Sequence, residues 1–88
     1  MNSREWFVYM VRCADGSLYT GVTTDLQRRV AEHNSDKAAR YTRSRQPVTL
    51  VYQESAASRS LACQREAAIK QLKKSEKEAL LFTLNSGE

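Results

Sequence analysis

Four side chains that suit phosphodiester chemistry lie close together near the start of the chain. Tyr9 sits in an apolar run, Tyr19 comes two positions before a glycine, and Arg29 is followed four residues later by His33, the only histidine. Hydrolysis of a phosphodiester needs an attacking water, stabilisation of the charge that grows on the phosphoryl oxygens, and a departing alkoxide. An arginine can bind such oxygens through paired hydrogen bonds, and a carboxylate can hold a divalent metal ion against the leaving group.

Two other kinds of site do not fit the residues present. Zinc sites need closely spaced pairs of histidine and cysteine ligands, whereas this chain has one histidine and two widely separated cysteines, Cys13 and Cys63. A serine or cysteine triad is not supported, because no motif surrounds a candidate nucleophile for the single histidine. We expect the two cysteines to be buried free thiols in a reducing compartment.

Length and charge limit the possible functions further. The 88 residues predict a single domain over residues 1–88, with a core at about residues 5–82. The polar start does not resemble a secretory leader, and no segment approaches the roughly 20 apolar residues of a membrane span, so we expect a cytoplasmic protein without membrane contact. The net charge is +4, and residues 37–45 contain four cations and no anion. This uneven charge favours a nucleic-acid partner.

The hairpin that carries the two tyrosines has a register with functional consequences. Residues 6–13 and 17–22 have the composition of strands and are separated by Asp15-Gly16. A two-residue turn would place Tyr9 and Tyr19 on opposite faces of the sheet. A three-residue loop that ends in a left-handed glycine would pair Tyr9 with Gly21 and bring both phenols to one face as diagonal neighbours. We predict the three-residue loop.

A basic helix should follow the hairpin directly. Thr24-Asp25-Leu26-Gln27 has the pattern of a capping box, which predicts a helix from about Asp25 to His33 or Asn34. Leu26 and Val30 form its apolar stripe, and Arg29 and His33 border that stripe. The helix therefore places both side chains next to its buried stripe rather than opposite it.

The rest of the chain predicts a small α+β domain. Residues 35–46 are polar and basic and predict a loop or one helical turn before Pro47, and residues 48–52 predict a third strand. A long helix from about Ser58 should bury Leu61, Ile69 and Leu72. A break near residues 73–74 and a capping box at residues 75–78 predict a last helix that buries the leucines at positions 80, 81 and 84, with a frayed tail at residues 85–88. The fold class is a three-stranded, mainly antiparallel sheet of order β-β-α-β-α-α flanked by helices.

The hairpin and first helix resemble the GIY-YIG endonuclease superfamily. Val8-Tyr9-Met10 stands in the place of the first triplet and Tyr19-Thr20-Gly21 in the place of the second, and residues 19–29 with His33-Asn34 match the central strand-to-helix segment. Residues 39–48, Ala-Arg-Tyr-Thr-Arg-Ser-Arg-Gln-Pro-Val, are similar to the small single-domain, YhbQ-like bacterial branch. The sequence departs from the pattern in two respects: the first triplet lacks its glycine and isoleucine, and Val22 replaces a lysine found in some relatives.

The resemblance implies a role for each matching residue. Tyr19 would be the general base or the phenol that positions water, with Tyr9 as its neighbour, while Arg29 would stabilise the phosphorane charge and His33 would share in proton transfer or orient Tyr19. Glu66 would bind one Mg²⁺ or Mn²⁺ ion, because magnesium keeps several waters and needs few protein carboxylates. A free phenol has a pKa near 10, so Tyr19 would need help from Arg29 and the metal to act as a base.

These assignments imply a divalent-metal-dependent endonuclease that hydrolyses DNA, branched or single-stranded forms included, in repair or recombination and with low sequence specificity. The residues expected to contact nucleic acid are Gly21, Thr23, Arg40, Tyr41, Thr42, Arg43 and Arg45. The alternative is a non-catalytic nucleic-acid-binding module, or a domain that docks onto a repair protein. Simpler interpretations stay open for single residues: His33 as a cation at a helix C-terminus, Glu66 as an ion-pair partner of Lys70, and residues 41–45 as a plain loop.

Overall fold

The computed structural model describes residues 5–86 of the chain, with side chains described up to residue 82. It confirms the predicted α+β class, with three antiparallel strands and four helices. The helical turn expected between residues 35 and 46 is present as the second helix. The elements, in chain order, are β1 (Trp6–Arg12), β2 (Leu18–Thr23), α1 (Leu26–His33), α2 (Arg40–Arg43), β3 (Thr49–Ala56), α3 (Arg59–Lys70) and α4 (Lys74–Ser86).

The hairpin of β1 and β2 has the predicted register. Tyr9 pairs with Gly21 and Val11 pairs with Tyr19. The connecting loop Ala14–Gly16 ends in a glycine whose φ is 87°, a conformation that residues with a Cβ rarely adopt. The two tyrosines therefore lie on the same face as diagonal neighbours.

Strand β1 is the centre of the sheet, whose order is β2-β1-β3. Strand β3 runs to Ala56 and is longer than predicted, because the whole of β1 as far as Trp6 is available to pair with it. Gln53 and Ser55 in this extension are polar and exposed. The apolar pattern that predicts the strand therefore stops before them. Met10 pairs with Tyr52 and the following residue pairs with Leu50, so β3 contains one extra residue, a β-bulge.

Apolar side chains fill both faces of the sheet. One face, which we call the larger core, is covered by α3 and α4; its buried residues are Val8, Met10, Tyr52, Ala62, Ile69 and Leu81. The other face, which we call the site-side core, is covered by α1 through Leu26 and Val30; its buried residues are Tyr9, Val11, Cys13 and Val48. Tyr19 packs against the site-side core.

Two helix starts differ from the predicted capping boxes. The N-cap of α1 is Asp25, whose carboxylate accepts a hydrogen bond from the Arg28 N–H at 3.1 Å; the Thr24 box is therefore wrong, although the helix ends at His33 as predicted. Helix α4 begins at Lys74, one residue before the predicted box, and the Glu76 carboxylate accepts a hydrogen bond from the Lys73 N–H at 2.8 Å. At both helix starts, a carboxylate accepts a hydrogen bond from a backbone N–H that has no partner within the helix.

The burial of α3 and of the chain end also corrects the sequence analysis. Leu61 is 51% exposed, and Ala62 is buried with Ile69 instead, because a separation of seven residues returns to nearly the same side of a helix. Leu72 and Cys63 are half-buried, while Cys13 is buried as expected. Residues 85 and 86 belong to α4; residues 87 and 88, and the side chain of residue 84, lie outside the described part, so the frayed tail stays a prediction. No helix within residues 5–86 is long and apolar enough to cross a membrane.

Candidate active site

The ring of Tyr9 lies directly over Gly21 on the neighbouring strand. A Cβ at Gly21 would stand 2.6 Å from the Tyr9 Oη and 2.8 Å from its Cζ, distances that no side chain tolerates. This close approach explains the glycine in the second triplet. It also corrects the expectation that Gly21 opens the backbone to a phosphate, since Gly21 is buried beneath the phenol.

His33, the last residue of α1, is fully buried and hydrogen-bonded at both ring nitrogens. Its Nε2 is 2.8 Å from the Tyr9 Oη, and its Nδ1 is 2.9 Å from the Thr42 Oγ1. The Thr42 hydroxyl in turn donates to the Ala39 carbonyl oxygen at 3.2 Å. The interpretation of His33 as a solvated cation at a helix C-terminus is therefore wrong.

Burial sets the protonation of this pair. Burial, assisted by the charge of Arg29, lowers the pKa of His33 to about 4. Burial also raises the pKa of Tyr9 to about 12, although the Arg29 guanidinium opposes this change. Both side chains are therefore neutral near pH 7, and the imidazole can accept a proton while the phenol retains its own.

Arg29 reaches the same network from the outer side. Its side chain is 28% exposed, and its Nη1 donates to the Glu32 carboxylate at 2.9 Å. The guanidinium is close enough to Tyr9 to lower the pKa of that phenol. Burial works against the charge of Arg29, but the hydrogen bond to Glu32 and the proximity of Tyr9 outweigh it and raise the pKa of Arg29. Arg29 is thus a permanent cation held beside Tyr9.

Tyr19 completes the group through ring contacts. The edge of its ring meets the His33 ring, with centroids 5.1 Å apart, and it stacks on Tyr41 at 5.7 Å. His33 thus contacts both tyrosines but forms its hydrogen bond with Tyr9, not with Tyr19 as an orienting role would require. Tyr19 is half-buried and Tyr9 is 1% exposed, so Tyr19 is the more accessible phenol.

A clamp between the hairpin loop and α2 holds Tyr41 in place. The Arg45 guanidinium lies 4.0 Å from the centre of the Tyr41 ring, donates to the Tyr41 carbonyl oxygen at 2.7 Å and binds the Asp15 carboxylate at 3.0 Å. The backbone adds a hydrogen bond from the Ala14 N–H to the Arg45 carbonyl oxygen at 2.8 Å. Residues 41–45 are therefore tied to the hairpin and do not form a plain loop.

The residues expected to contact nucleic acid divide into accessible and buried groups. Arg40, Tyr41 and Arg43 are exposed, and Arg45 is half-buried within the clamp. Thr42 is fully buried and Thr23 is 6% exposed, which corrects the expectation that either contacts a substrate directly. The Thr23 hydroxyl instead accepts a hydrogen bond from the Asp25 N–H at 3.1 Å, at the start of α1.

Glu66 on α3 is the carboxylate with a possible metal role. Its charge is close enough to Tyr9 to raise the pKa of that phenol, and its Oε2 forms the anticipated ion pair with Lys70 at 3.0 Å. Within the described residues no group of three or more histidine, cysteine, aspartate or glutamate side chains could hold an ion. A single carboxylate suits a largely hydrated Mg²⁺ and does not suit zinc.

Comparison with known proteins identifies the family. The model of the GIY-YIG catalytic domain matches residues 5–79. The chain belongs to the GIY-YIG family. This GIY-YIG chain is 58% identical over 83 residues to a UPF0213 protein of Desulfotalea psychrophila, covering 93% of this chain and 76% of the relative. It is 59% identical over 73 residues to a UPF0213 protein of Halobacterium salinarum, covering 83% and 95%. The family is a nuclease family, and the names of these relatives state no activity.

Solved structures of related GIY-YIG chains confirm the fold. A solution NMR structure of a UPF0213 protein from Bacillus halodurans superposes with a TM-score of 0.59 at 42% identity, covering 94% of this chain and 87% of that one. A solution NMR structure of a protein from E. faecalis gives a TM-score of 0.66 at 39% identity, covering 99% and 93%. The small, YhbQ-like branch expected from residues 39–48 is thereby confirmed.

The hydrogen-bond partners of this GIY-YIG site were the part that sequence reasoning missed. The contact between Thr42 and His33 follows no helical or strand spacing, so no local pattern predicts it. Glu32, the partner of Arg29, could have been found, because residues three apart on a helix face one another.

Proposed function

We propose that the protein is a divalent-metal-dependent endonuclease that hydrolyses DNA phosphodiester bonds. The observation that supports this most strongly is the buried hydrogen bond between Tyr9 and His33, with the Arg29 cation beside Tyr9 and Tyr19 against the same imidazole. A permanent cation, a neutral imidazole and an accessible phenol on one face of a sheet are the parts that phosphodiester hydrolysis requires.

In this proposal each side chain has one task. Tyr19, the more accessible phenol, positions the attacking water. The proton of that water leaves to solvent, because Tyr9 and His33 are buried and the pKa of His33 is only about 4. The hydrogen bond between Tyr9 and His33 instead holds the phenol beside Arg29. Arg29 binds the phosphoryl oxygens as their negative charge grows. The leaving 3′ oxygen takes a proton from solvent.

The metal ion has a fitting ligand in Glu66. The Lys70 ion pair occupies Oε2, and the second carboxylate oxygen is available to a hydrated cation. A Mg²⁺ or Mn²⁺ ion bound there would stabilise the charge of the leaving group.

The DNA would lie along the exposed cations near α2. Lys37, Arg40 and Arg43 are exposed, and within residues 5–86 none of them is engaged in an ion pair. Cations of this kind bind phosphates without reading base sequence. We therefore propose low sequence specificity and a cytoplasmic role in DNA repair or recombination, in which the shape of the DNA or a partner repair protein selects the target.

Cleavage of duplex, branched and single-stranded DNA in Mg²⁺ or Mn²⁺ tests this function. We expect metal-dependent cleavage that falls about 100-fold or more in Tyr19→Phe and Glu66→Gln. Tyr52→Phe is the matched control for the phenol, because Tyr52 lies on the opposite face and its hydroxyl binds Glu54. Salt-sensitive binding without cleavage of any substrate would overturn the nuclease and support the binding module. Cleavage that survives both site variants would refute the residue assignment.

A further inference from the structure

Thr42 is a fully buried hydroxyl side chain that contacts the active-site histidine and no solvent. It was expected to touch the substrate, and its burial removes that role. Its hydroxyl is instead placed between the Nδ1 of His33 at 2.9 Å and the Ala39 carbonyl oxygen at 3.2 Å. Because the Thr42 hydroxyl has a single proton, it can donate a hydrogen bond to only one of these two neighbours.

The direction of that proton decides which nitrogen of His33 carries hydrogen. A carbonyl oxygen only accepts hydrogen bonds, so the Thr42 hydroxyl must donate to Ala39 and present its lone pairs to His33. A neutral imidazole has one donor and one acceptor nitrogen, and the bond made by one nitrogen sets the state of the other. Nδ1 must therefore be the protonated nitrogen, and Nε2 must be the acceptor.

The tautomer of His33 also fixes the direction of its hydrogen bond with Tyr9. With Nε2 unprotonated, the Tyr9 hydroxyl donates to it across 2.8 Å, and the phenol oxygen keeps its lone pairs for donors such as the nearby Arg29 guanidinium, which can only donate. In the opposite tautomer His33 would donate to Tyr9, and the Thr42 hydroxyl would have to give up its bond to Ala39 in order to donate to Nδ1.

We propose that Thr42 is a positioning residue that fixes the tautomer of His33 and, through Tyr9, the placement of Arg29. The proposal rests on the proposed function only for its effect on cleavage, because the tautomer is a property of the free protein. Thr42 itself touches neither substrate nor metal. Its contribution is to keep Tyr9 as the donor and the Nε2 of His33 as the acceptor of the hydrogen bond between them.

The tautomer can be measured directly because the chain has one histidine. In the full-length ¹⁵N-labelled protein, free of any histidine tag, long-range ¹H–¹⁵N correlation at neutral pH shows which ring nitrogen is protonated. We expect the unprotonated nitrogen to be the one that couples to both carbon-bound ring protons, Nε2. A wild-type spectrum in which Nδ1 is the unprotonated nitrogen would overturn the inference without any variant.

Substitutions at Thr42 test the cause. Thr42→Val keeps the shape of the side chain and removes the hydroxyl. In this variant we expect Nε2 of His33 to become the protonated nitrogen, or the signals of Nδ1 and Nε2 to average between the two tautomers. Thr42→Ser keeps the hydroxyl and should retain the wild-type tautomer, and Thr42→Ala replaces the valine variant if that variant does not fold. Thr20→Val is the matched control, since it removes a buried threonine hydroxyl on the other face. A wild-type tautomer in folded Thr42→Val or Thr42→Ala would refute the role of Thr42.

Cleavage kinetics separate this inference from the proposed function. We expect kcat to fall about 10- to 100-fold in Thr42→Val, the loss seen when a metal-bound histidine loses the partner of its other nitrogen, with KM unchanged and activity restored in Thr42→Ser. A loss shared equally by Thr42→Ser would indicate a packing role and contradict the inference. If the wild type cleaves nothing, the proposed function fails, and the NMR result still decides the role of Thr42.

Discussion

The two faces of the sheet bury different kinds of side chain. The larger core is built from apolar residues such as Val8, Met10 and Ile69, all fully buried. The site-side core buries a hydrogen-bonded phenol and imidazole instead. Burying a polar group is costly unless its hydrogen bonds are made, and the site side meets that requirement at His33. The two faces therefore differ in polarity: one is mainly apolar, and the other holds the buried polar pair of the candidate site.

Two buried threonines show the same contrast at a single residue type. Thr42, on the site side, has its hydroxyl bonded to both His33 and Ala39. Thr20 is 2% exposed beneath the helices of the larger core, and its hydroxyl has no hydrogen-bond partner within the described residues. Within the described part of the chain, the buried hydroxyl beside His33 is thus fully hydrogen-bonded, whereas the buried hydroxyl in the larger core is not.

The largest effect on stability that follows from this contrast is a dependence on pH through His33. The folded pKa of about 4 lies below the ordinary value of 6.5, so the unfolded chain binds the proton first. The stabilisation is complete above pH 6.5 and is lost as the pH falls through the window towards 4, for a total of roughly 2 kcal/mol between pH 7 and 4.5. Urea unfolding across this range should show that decrease in the wild type.

The control for this pH effect is His33→Gln, which removes the titrating group. Carboxylates whose pKa is lowered by ion pairs, such as Glu32 and Glu78, titrate alike in both proteins. The difference between the two unfolding curves therefore isolates His33. Parallel curves would mean that the histidine is not held neutral by burial.

An intermediate effect is expected from a methyl group at Gly21. Gly21→Ala would force the Cβ against the Tyr9 ring, and such overpacking costs about 1–3 kcal/mol. It should also shift the NMR signals of His33 through the displaced phenol. Gly16→Ala is the comparison, because its Cβ would meet no atom within 4 Å and only its positive φ is strained. A Gly21→Ala protein as stable as the wild type would contradict the close packing of Tyr9.

The smallest effect on the free energy of unfolding is expected at Thr20, and its sign is opposite to that of Gly21→Ala. Thr20→Val replaces an unsatisfied buried hydroxyl with a methyl group in a strand, which should stabilise the fold by about 1 kcal/mol. Thermal unfolding measures the change. Destabilisation by Thr20→Val would show that the hydroxyl has a partner and would weaken the contrast between the two faces.

Local patterns predicted those parts of the site that one segment contains. The three-residue loop with a left-handed glycine predicted the register, and the apolar stripe of α1 placed Arg29 and His33 beside the buried side of the helix. The partner of His33 could not be predicted, because Thr42 reaches it through the irregular segment that follows α1. The clamp formed by Arg45 and Asp15 depends on the same distant packing.

The most direct test of the account compares two neighbouring arginines on α1. Arg29 contacts Tyr9 and is 28% exposed, whereas Arg28 is 59% exposed and pairs only with carboxylates of its own helix and cap. Metal-dependent DNA cleavage should fall about 100- to 1,000-fold in Arg29→Ala, as for the loss of one group that stabilises transition-state charge, and should stay within about twofold in Arg28→Ala. Equal losses in the two variants, or none in Arg29→Ala, would contradict the assignment of this face to catalysis.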